Sequence, residues 1–367
     1  MQQEKLRSTL VFKSMKKICL TIAIVLLTTS FSTGWGAQKD TLYTVAMCGD
    51  IMLGTTYPVV QLPANEGKNL FDACRHIFKS ADLSLGNLEG VFLEGGKSRK
   101  GTGRYAYSFR MPTAWGPRLK EAGFHYMNLA NNHTKDFYDE GIYSTEKVLD
   151  RIGIKYSGVE GRADSAVIER SGVKWGICSF GHNAYTLKTW DTTTVKRIIT
   201  NLKDSAKADL IIVFFHGGAE GVAKRHLPQG METFLGENRG DLRKFARFCI
   251  DLGADIVAGS GPHVVRGCEL YKNRMVIYSM GNFCTPYGIN VAGKTGYAPV
   301  FEVKIKKDGT FVKGKIHSFI QQKGIGPVKD EANIVAAEIA TLTREDMKNN
   351  GALKIDKEGN ITPYLQR

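Results

Sequence analysis

The run Asn128–Gly141, NLANNHTKDFYDEG, sets amide oxygens, an imidazole and a carboxylate at Asn131, Asn132, His133 and Asp136. Those groups together can ligate a divalent ion and move a proton beside it. Asn and Asp are also the residues of turns and helix entries, so the segment alone reads equally well as a capped helix start. Recurrence separates the two readings. Asp50 ends the apolar run Leu42–Cys48, and Asn87 and Glu89 follow Leu83–Leu85. His216, with Glu220 close behind, ends Leu210–Phe215, and His263 follows Asp255–Ala258 in GSGPHVVRGCE. Each polar group falls just past the carboxyl end of a strand-length apolar run, where α/β sheets assemble their sites. Carboxylate, amide and imidazole suit Zn, Mn or Fe, or Mg and Ca with the imidazoles outside the coordination sphere. His76, His125, His182, His226 and His317 read as structural, with His182 in SFGHN the least settled of them.

The elements that must position these groups alternate strand and helix. Beyond the strands already named, helices are expected near Phe71–Lys79, Thr113–Ala122, Val195–Lys207 and Leu242–Leu252. Another, from about Asp139 to Ile152, keeps Ile142, Thr145, Val148, Leu149 and Ile152 on one side and stops at Gly153. Gly95–Arg110 reads as a long exposed loop. From Cys268 the period changes, and Cys268–Tyr271, Met275–Ser279, Val300–Lys306 and Thr310–Ile320 are expected as successive antiparallel strands. A helix near Ile334–Lys348 closes the pattern, which is that of a layered α/β domain with a β-rich second half.

The chain has 367 residues and a formal net charge of +14, of which Met1–Ala37 contributes +4 and the rest +10. A basic protein favours polyanionic partners, and no basic-aromatic motif points to nucleic acid, so an acidic polymer or anionic surface is the expected partner. Lys16 and Lys17 precede the apolar run Ile18–Leu27, which fades into Gly34-Trp35-Gly36-Ala37. That order is a secretory signal, or an uncleaved anchor, over residues 1–37, and it implies a periplasmic or cell-surface location. Of seven cysteines, Cys19 lies in this segment, and no CxxC pair marks a thiolate zinc site. Four of the six others sit in apolar runs and read as buried free thiols.

At these residues the chain resembles the CapA family of poly-γ-glutamate capsule synthesis proteins, a branch of the calcineurin-like metallophosphatases. The resemblance rests on Gly49-Asp50-Ile51-Met52, Asn87-Leu88-Glu89, Ala130–His133 with Asp136, and His216-Gly217-Gly218 with Glu220. It continues through Gly253-Ala254-Asp255, Pro262-His263-Val264 and Tyr278–Phe283. It implies a four-layer αββα sandwich over residues 41–320, followed by a C-terminal extension over 321–367. It also implies Asp50, Glu89, Asn132, His216 and His263 as metal ligands, with Glu89 where the superfamily has a bridging aspartate. His133 would be the adjacent proton donor, with Asp136 and Glu220 orienting imidazoles. Met52 stands where phosphatases have a ligand histidine, as is usual in the CapA branch. The last motif, Gly259-Ser260-Gly261-Pro262-His263, lacks the earlier histidines common there, Tyr138 stands where a glycine is usual, and Arg266 where a glutamine is common. The remaining donors suffice for one divalent ion (Mn, Zn, Fe or Mg) and are thin for two.

Three functions are therefore expected to compete. One is metal-assisted hydrolysis or transfer at a phosphoester or amide bond, in synthesis, attachment or release of a polymer such as poly-γ-glutamate. The second is a non-catalytic subunit binding that polymer or a membrane-bound synthase. The third is a free phosphoesterase with no polymer role, since fold does not fix substrate.

Overall fold

The computed structural model describes residues 41–101, 106–347 and 353–364. The expected signal segment and Cys19 lie outside them. The first half supplies strands β1 (Tyr43–Ile51), β2 (Leu83–Leu88), β3 (Tyr126–Asn128), β4 (Lys155–Ser157), β5 (Ser165–Arg170) and β6 (Val173–Phe180). The second adds β7 (Leu210–His216), β8 (Ile256–Ser260), β9 (Cys268–Tyr271), β10 (Arg274–Ile277) and β11 (Asn282–Cys284). Strands β12 (Val300–Ile305), β13 (Phe311–His317), β14 (Leu353–Ile355) and β15 (Asn360–Pro363) complete the two large sheets. Beside these, short strand pairs form at Val91–Phe92/Arg110–Met111, Glu232–Phe234/Glu237–Gly240 and Phe319–Gln322/Gly326–Lys329. The helices that cover them are α1 (Arg75–Ser80), α2 (Pro117–Ala122), α3 (Tyr138–Ile152), α4 (Thr192–Thr200), α5 (Leu242–Asp251) and α6 (Ile334–Asp346).

Nine strands form one sheet, in the order β14-β15-β13-β12-β1-β2-β3-β4 with β11 also on β1, and six form a second, β9-β10-β8-β7-β6-β5. Strand sequence explains why the sheets stack. In β1, Tyr43, Val45 and Met47 enter one core while Ala46 and Cys48 enter another. In β7, Leu210, Ile212 and Phe214 join that first core, and Ile211, Val213 and Phe215 face a third. Side chains alternate across a strand, so a continuous apolar run must be covered on both faces. The sheets cover each other's inner faces. The outer face of the nine-stranded sheet lies under α1, α2 and α3, and that of the six-stranded sheet under α4 and α5. The result is a helix–sheet–sheet–helix sandwich. Each fully buried Leu, Ile or Phe contributes about 1.5–3 kcal/mol, so all three core layers contribute to stability.

Two differences from expectation have physical causes. The four strands after Cys268 do not form one meander: β9 and β10 edge the six-stranded sheet, while β12 and β13 belong to the other. The three-residue β11 makes the crossing by pairing in parallel with β1, Asp50 opposite Asn282. The segment expected as a C-terminal extension from 321 onward is built into the same architecture. Val335, Ile339 and Leu342 of α6 enter the inner core, and β15 pairs with β13. Six cysteines are free and buried, Cys48, Cys74, Cys178, Cys249, Cys268 and Cys284. Among the described residues, no helix is long and apolar enough to cross a membrane.

Candidate metal centre

Parallel pairing in the middle of both sheets gathers the strand ends that carry the polar groups. Strands β1, β2 and β3 run in parallel with Asp50 beside Asn87 and Asn87 beside Asn128. In the other sheet β7 and β8 run in parallel with His216 beside Ser260. Asp50, Glu89 and His216 are fully buried, and one ligand atom from each lies within 4.8 Å of the others.

The loop after β3 is shaped by its own asparagines. Asn128 Oδ1 accepts from Ala130 N at 2.7 Å and Asn131 Oδ1 from His133 N at 3.0 Å, side-chain turns that fix the backbone. Asn131 Nδ2 then donates to Leu88 O at 2.8 Å and Asn87 Oδ1 at 3.0 Å. The turn reading is therefore right for Asn128 and Asn131, and it leaves Asn132 free, with its Oδ1 buried and without a hydrogen-bond partner. Asn87 is the hub of the centre. Its Nδ2 donates to Asp50 Oδ1 at 2.8 Å and Glu89 Oε2 at 2.6 Å, holding the two carboxylates side by side.

Glu89 Oε2 lies 3.3 Å from His216 Nε2, and Glu89 Oε1 lies 3.7 Å from His133 Nε2. Burial works against the Glu89 charge, but His216, His133 and His263 outweigh it and hold the carboxyl well below its usual range. His133 Nδ1 is 2.8 Å from Asp136 Oδ2, and Nε2 faces the carboxylates. His263 reaches Asp50 Oδ2 at 3.0 Å and Asn282 Oδ1 at 2.8 Å, both through Nδ1, which leaves Nε2 for any ligand role. Burial opposes a charge on His263, yet Asp50, Glu220 and Glu89 raise its pKa to about 10. His263 has φ of 56°, a left-handed conformation rare outside glycine and concentrated at functional positions. Glu220 is turned toward Arg239, with 2.7 Å between Oε1 and Nη1. The structure brings Asp50, Glu89 and His216 together, with His263 on Asp50 and the His133–Asp136 pair next to Glu89. Asn132 lies in the same loop as His133 with no hydrogen bond from its Oδ1 to any of them, and Glu220 is paired with Arg239.

Sequence reasoning passed over three contributors, and it singled out Asn87 without giving it a role. Asn282 looked like an ordinary polar residue at a strand end. His182 stacks its ring 6.0 Å from that of His216, and burial pushes its pKa down. Lys100 comes from the segment read as an exposed loop, and its Nζ lies 2.7 Å from Asp136 Oδ1 and 3.1 Å from His133 Nδ1. In the described parts of that loop Gly95, Gly96, Lys97, Arg99, Gly101 and Tyr107 are exposed as expected, while Ser98, Ser108 and Phe109 are buried and form its inner edge.

The donor set fits a divalent ion. Glu89 Oε1, Asn132 Oδ1 and both ring nitrogens of His216 are buried without hydrogen bonds, a costly arrangement unless another partner satisfies them. Oxygen and imidazole donors match Zn, Mn or Fe. The two departures from the expected ligand pattern have structural correlates. Met52 is fully buried in the core beneath the α1–α3 layer. Gly261 has φ of 121°, and a side chain there would meet Gly217 backbone atoms at 2.7 Å. At Gly261, therefore, the backbone leaves no room for an imidazole.

A family model described as bacterial capsule synthesis protein PGA_cap matches residues 44–287. The chain belongs to this family. A capsule biosynthesis protein CapA from Bacillus anthracis is 28% identical, with 79% of this chain and 71% of that protein aligned. The PGA biosynthesis protein CapA of Bacillus subtilis (strain 168) is 24% identical, over 95% of this chain and 92% of its own length. Among solved structures, the calcineurin-like phosphoesterase YfkN from Bacillus subtilis is similar at 14% identity and a TM-score of 0.43, covering 84% of this chain and 98% of that one.

Proposed function

We propose that this PGA_cap protein acts in synthesis, attachment or release of an anionic capsule polymer of the polyglutamate type, by hydrolysis or transfer at a phosphoester or amide bond. The names of its CapA relatives support the polymer, and the orphaned donors of Glu89, Asn132 and His216 support the chemistry. Asp50, Glu89 and His216 would hold one ion, with Asn132 Oδ1 and His263 Nε2 at its edge. When bound, that ion polarises the reacting oxygen and lowers the pKa of an attacking water. Asn87 keeps both carboxylates in place, and Asp136 holds His133 at Nδ1 so that Nε2 handles the leaving-group proton. The protein would work outside the cytoplasm, delivered by the basic-then-apolar segment Lys16–Ala37.

A second reading, a binding subunit that keeps the pocket without turnover, is favoured by the two missing imidazoles at Met52 and Gly261. Hydrolysis of a generic phosphodiester and of poly-γ-glutamate by the wild-type protein, supplied in turn with Mn, Zn, Fe and Mg, decides between them. Turnover with at least one ion is expected. Polymer binding without cleavage of either substrate would replace the enzyme reading with the binding one.

A further inference from the structure

Beyond the carboxyl ends of β1 and β11 lies a cavity of about 1120 Å³, walled by residues 55–61, 286–292 and the hairpin Phe319–Gln322/Gly326–Lys329. It adjoins the metal centre through Phe109, which lines the cavity and sets its ring 4.3 Å from that of His133. Its chemistry is selective. Tyr57, Tyr107 and Tyr287 offer aromatic surface, Lys323 and Lys329 bring positive charge, and among the described residues no Asp or Glu lines it.

Gln321 gives the cavity a fixed polar group. Its Oε1 accepts from Thr285 N at 2.5 Å and from Thr285 Oγ1 at 3.0 Å, which settles the orientation of the amide. The opposite end, Nε2, is therefore a donor of fixed direction, and it is buried without a partner on a side chain only 5% exposed. A buried unpaired donor costs about 1–3 kcal/mol, and a ligand oxygen would remove that cost. Lys329 shares its charge with Glu331 at 2.6 Å, whereas Lys323 has no ion-pair partner among the described residues.

We propose that this cavity is the binding groove for an anionic polyamide chain, with Gln321 Nε2 donating to a carbonyl or carboxylate oxygen and Lys323 neutralising a carboxylate. Methylene segments of such a chain lie on the tyrosine rings, and the absence of acidic residues among the described walls spares it repulsion. The groove leads the chain past Phe109 toward His133. This rests on the polymer reading above and adds where the polymer sits.

The test is binding of fluorescein-labelled γ-glutamyl oligomers, against inorganic polyphosphate of matched charge. Wild type, Gln321→Glu, Lys323→Glu and Lys244→Glu are compared, the last in a separate groove between α4 and α5. Gln321→Glu keeps an acceptor for Thr285 and puts an anion where a donor stood. Unchanged metal content and a single cooperative thermal transition confirm that each variant is folded, with a lowered midpoint expected for Gln321→Glu because it buries a charge. Oligomers should bind more tightly than polyphosphate, and Gln321→Glu should weaken them about 10- to 100-fold. Lys323→Glu should weaken them about tenfold and Lys244→Glu leave them alone. Oligomer binding that Gln321→Glu does not weaken, or that Lys244→Glu weakens equally, overturns the groove and leaves the polymer reading standing. Failure of the wild type to bind oligomers overturns both.

Discussion

Replacement of His133 by Asn should lower turnover by about 10²–10⁴-fold while leaving metal content and polymer affinity near wild type. The expectation follows from where the two ring nitrogens lie. Nδ1 is held by Asp136 Oδ2 at 2.8 Å, and Nε2 stands 3.7 Å from Glu89 Oε1, at the edge of the donor cluster rather than within it. His133 is also outside the trio whose ligand atoms lie within 4.8 Å, so its loss removes a proton carrier and not a ligand. Asn keeps the side chain polar and short enough to remain beneath the Phe109 ring. Steady-state rates of the two proteins, measured with the same ion, make the comparison. Equal rates would mean that the leaving-group proton comes from elsewhere.

Arg266→Met is expected to destabilise the fold by about 3–5 kcal/mol, the usual result of stranding one partner of a buried pair. Arg266 is fully buried, and its two Nη atoms each lie 2.8 Å from a Glu232 oxygen. Its Nε donates to Lys224 O at 3.0 Å, and Glu232 Oε2 accepts from Ala219 N at 2.9 Å. The pair thereby ties the hairpin Glu232–Phe234/Glu237–Gly240 to the loop that follows His216. Removing the arginine leaves a carboxylate in a dry site, whereas Arg266→Met combined with Glu232→Leu removes both charges and should recover most of the loss. Urea denaturation midpoints of the three proteins measure this. A loss under about 1 kcal/mol for Arg266→Met would show the pair to be solvated after all.

Much of this was legible in the sequence because strand periodicity and strand ends are local signals. The continuous apolar runs of β1 and β7 announced strands covered on both faces, and the polar residues just past them announced a site. The His133–Asp136 pair was legible too, being three residues apart. Other features depend on contacts across the fold. Strand β11 is three residues long, too short for a periodic signal, yet it brings Asn282 to His263. Lys100 lies in a Gly-, Lys- and Arg-rich stretch whose composition reads as solvent-exposed, and only the tertiary fold turns it toward Asp136. His182 is beside His216 because β6 and β7 pair in register, not because of any motif. Tyr138 shows the reverse case: its φ of 53° is the backbone state glycine prefers, which accounts for the glycine usual at that position.

The account turns on a divalent ion held by Asp50, Glu89 and His216. Metal analysis of purified protein after loading with Mn, Zn, Fe or Mg and removal of free ion tests it most directly, with Glu89→Ala and His216→Ala alongside. The wild type should retain about one equivalent of at least one ion, the count its donor set supports, and both variants should retain little. A wild type that retains none, or variants that retain as much as the wild type, would contradict it.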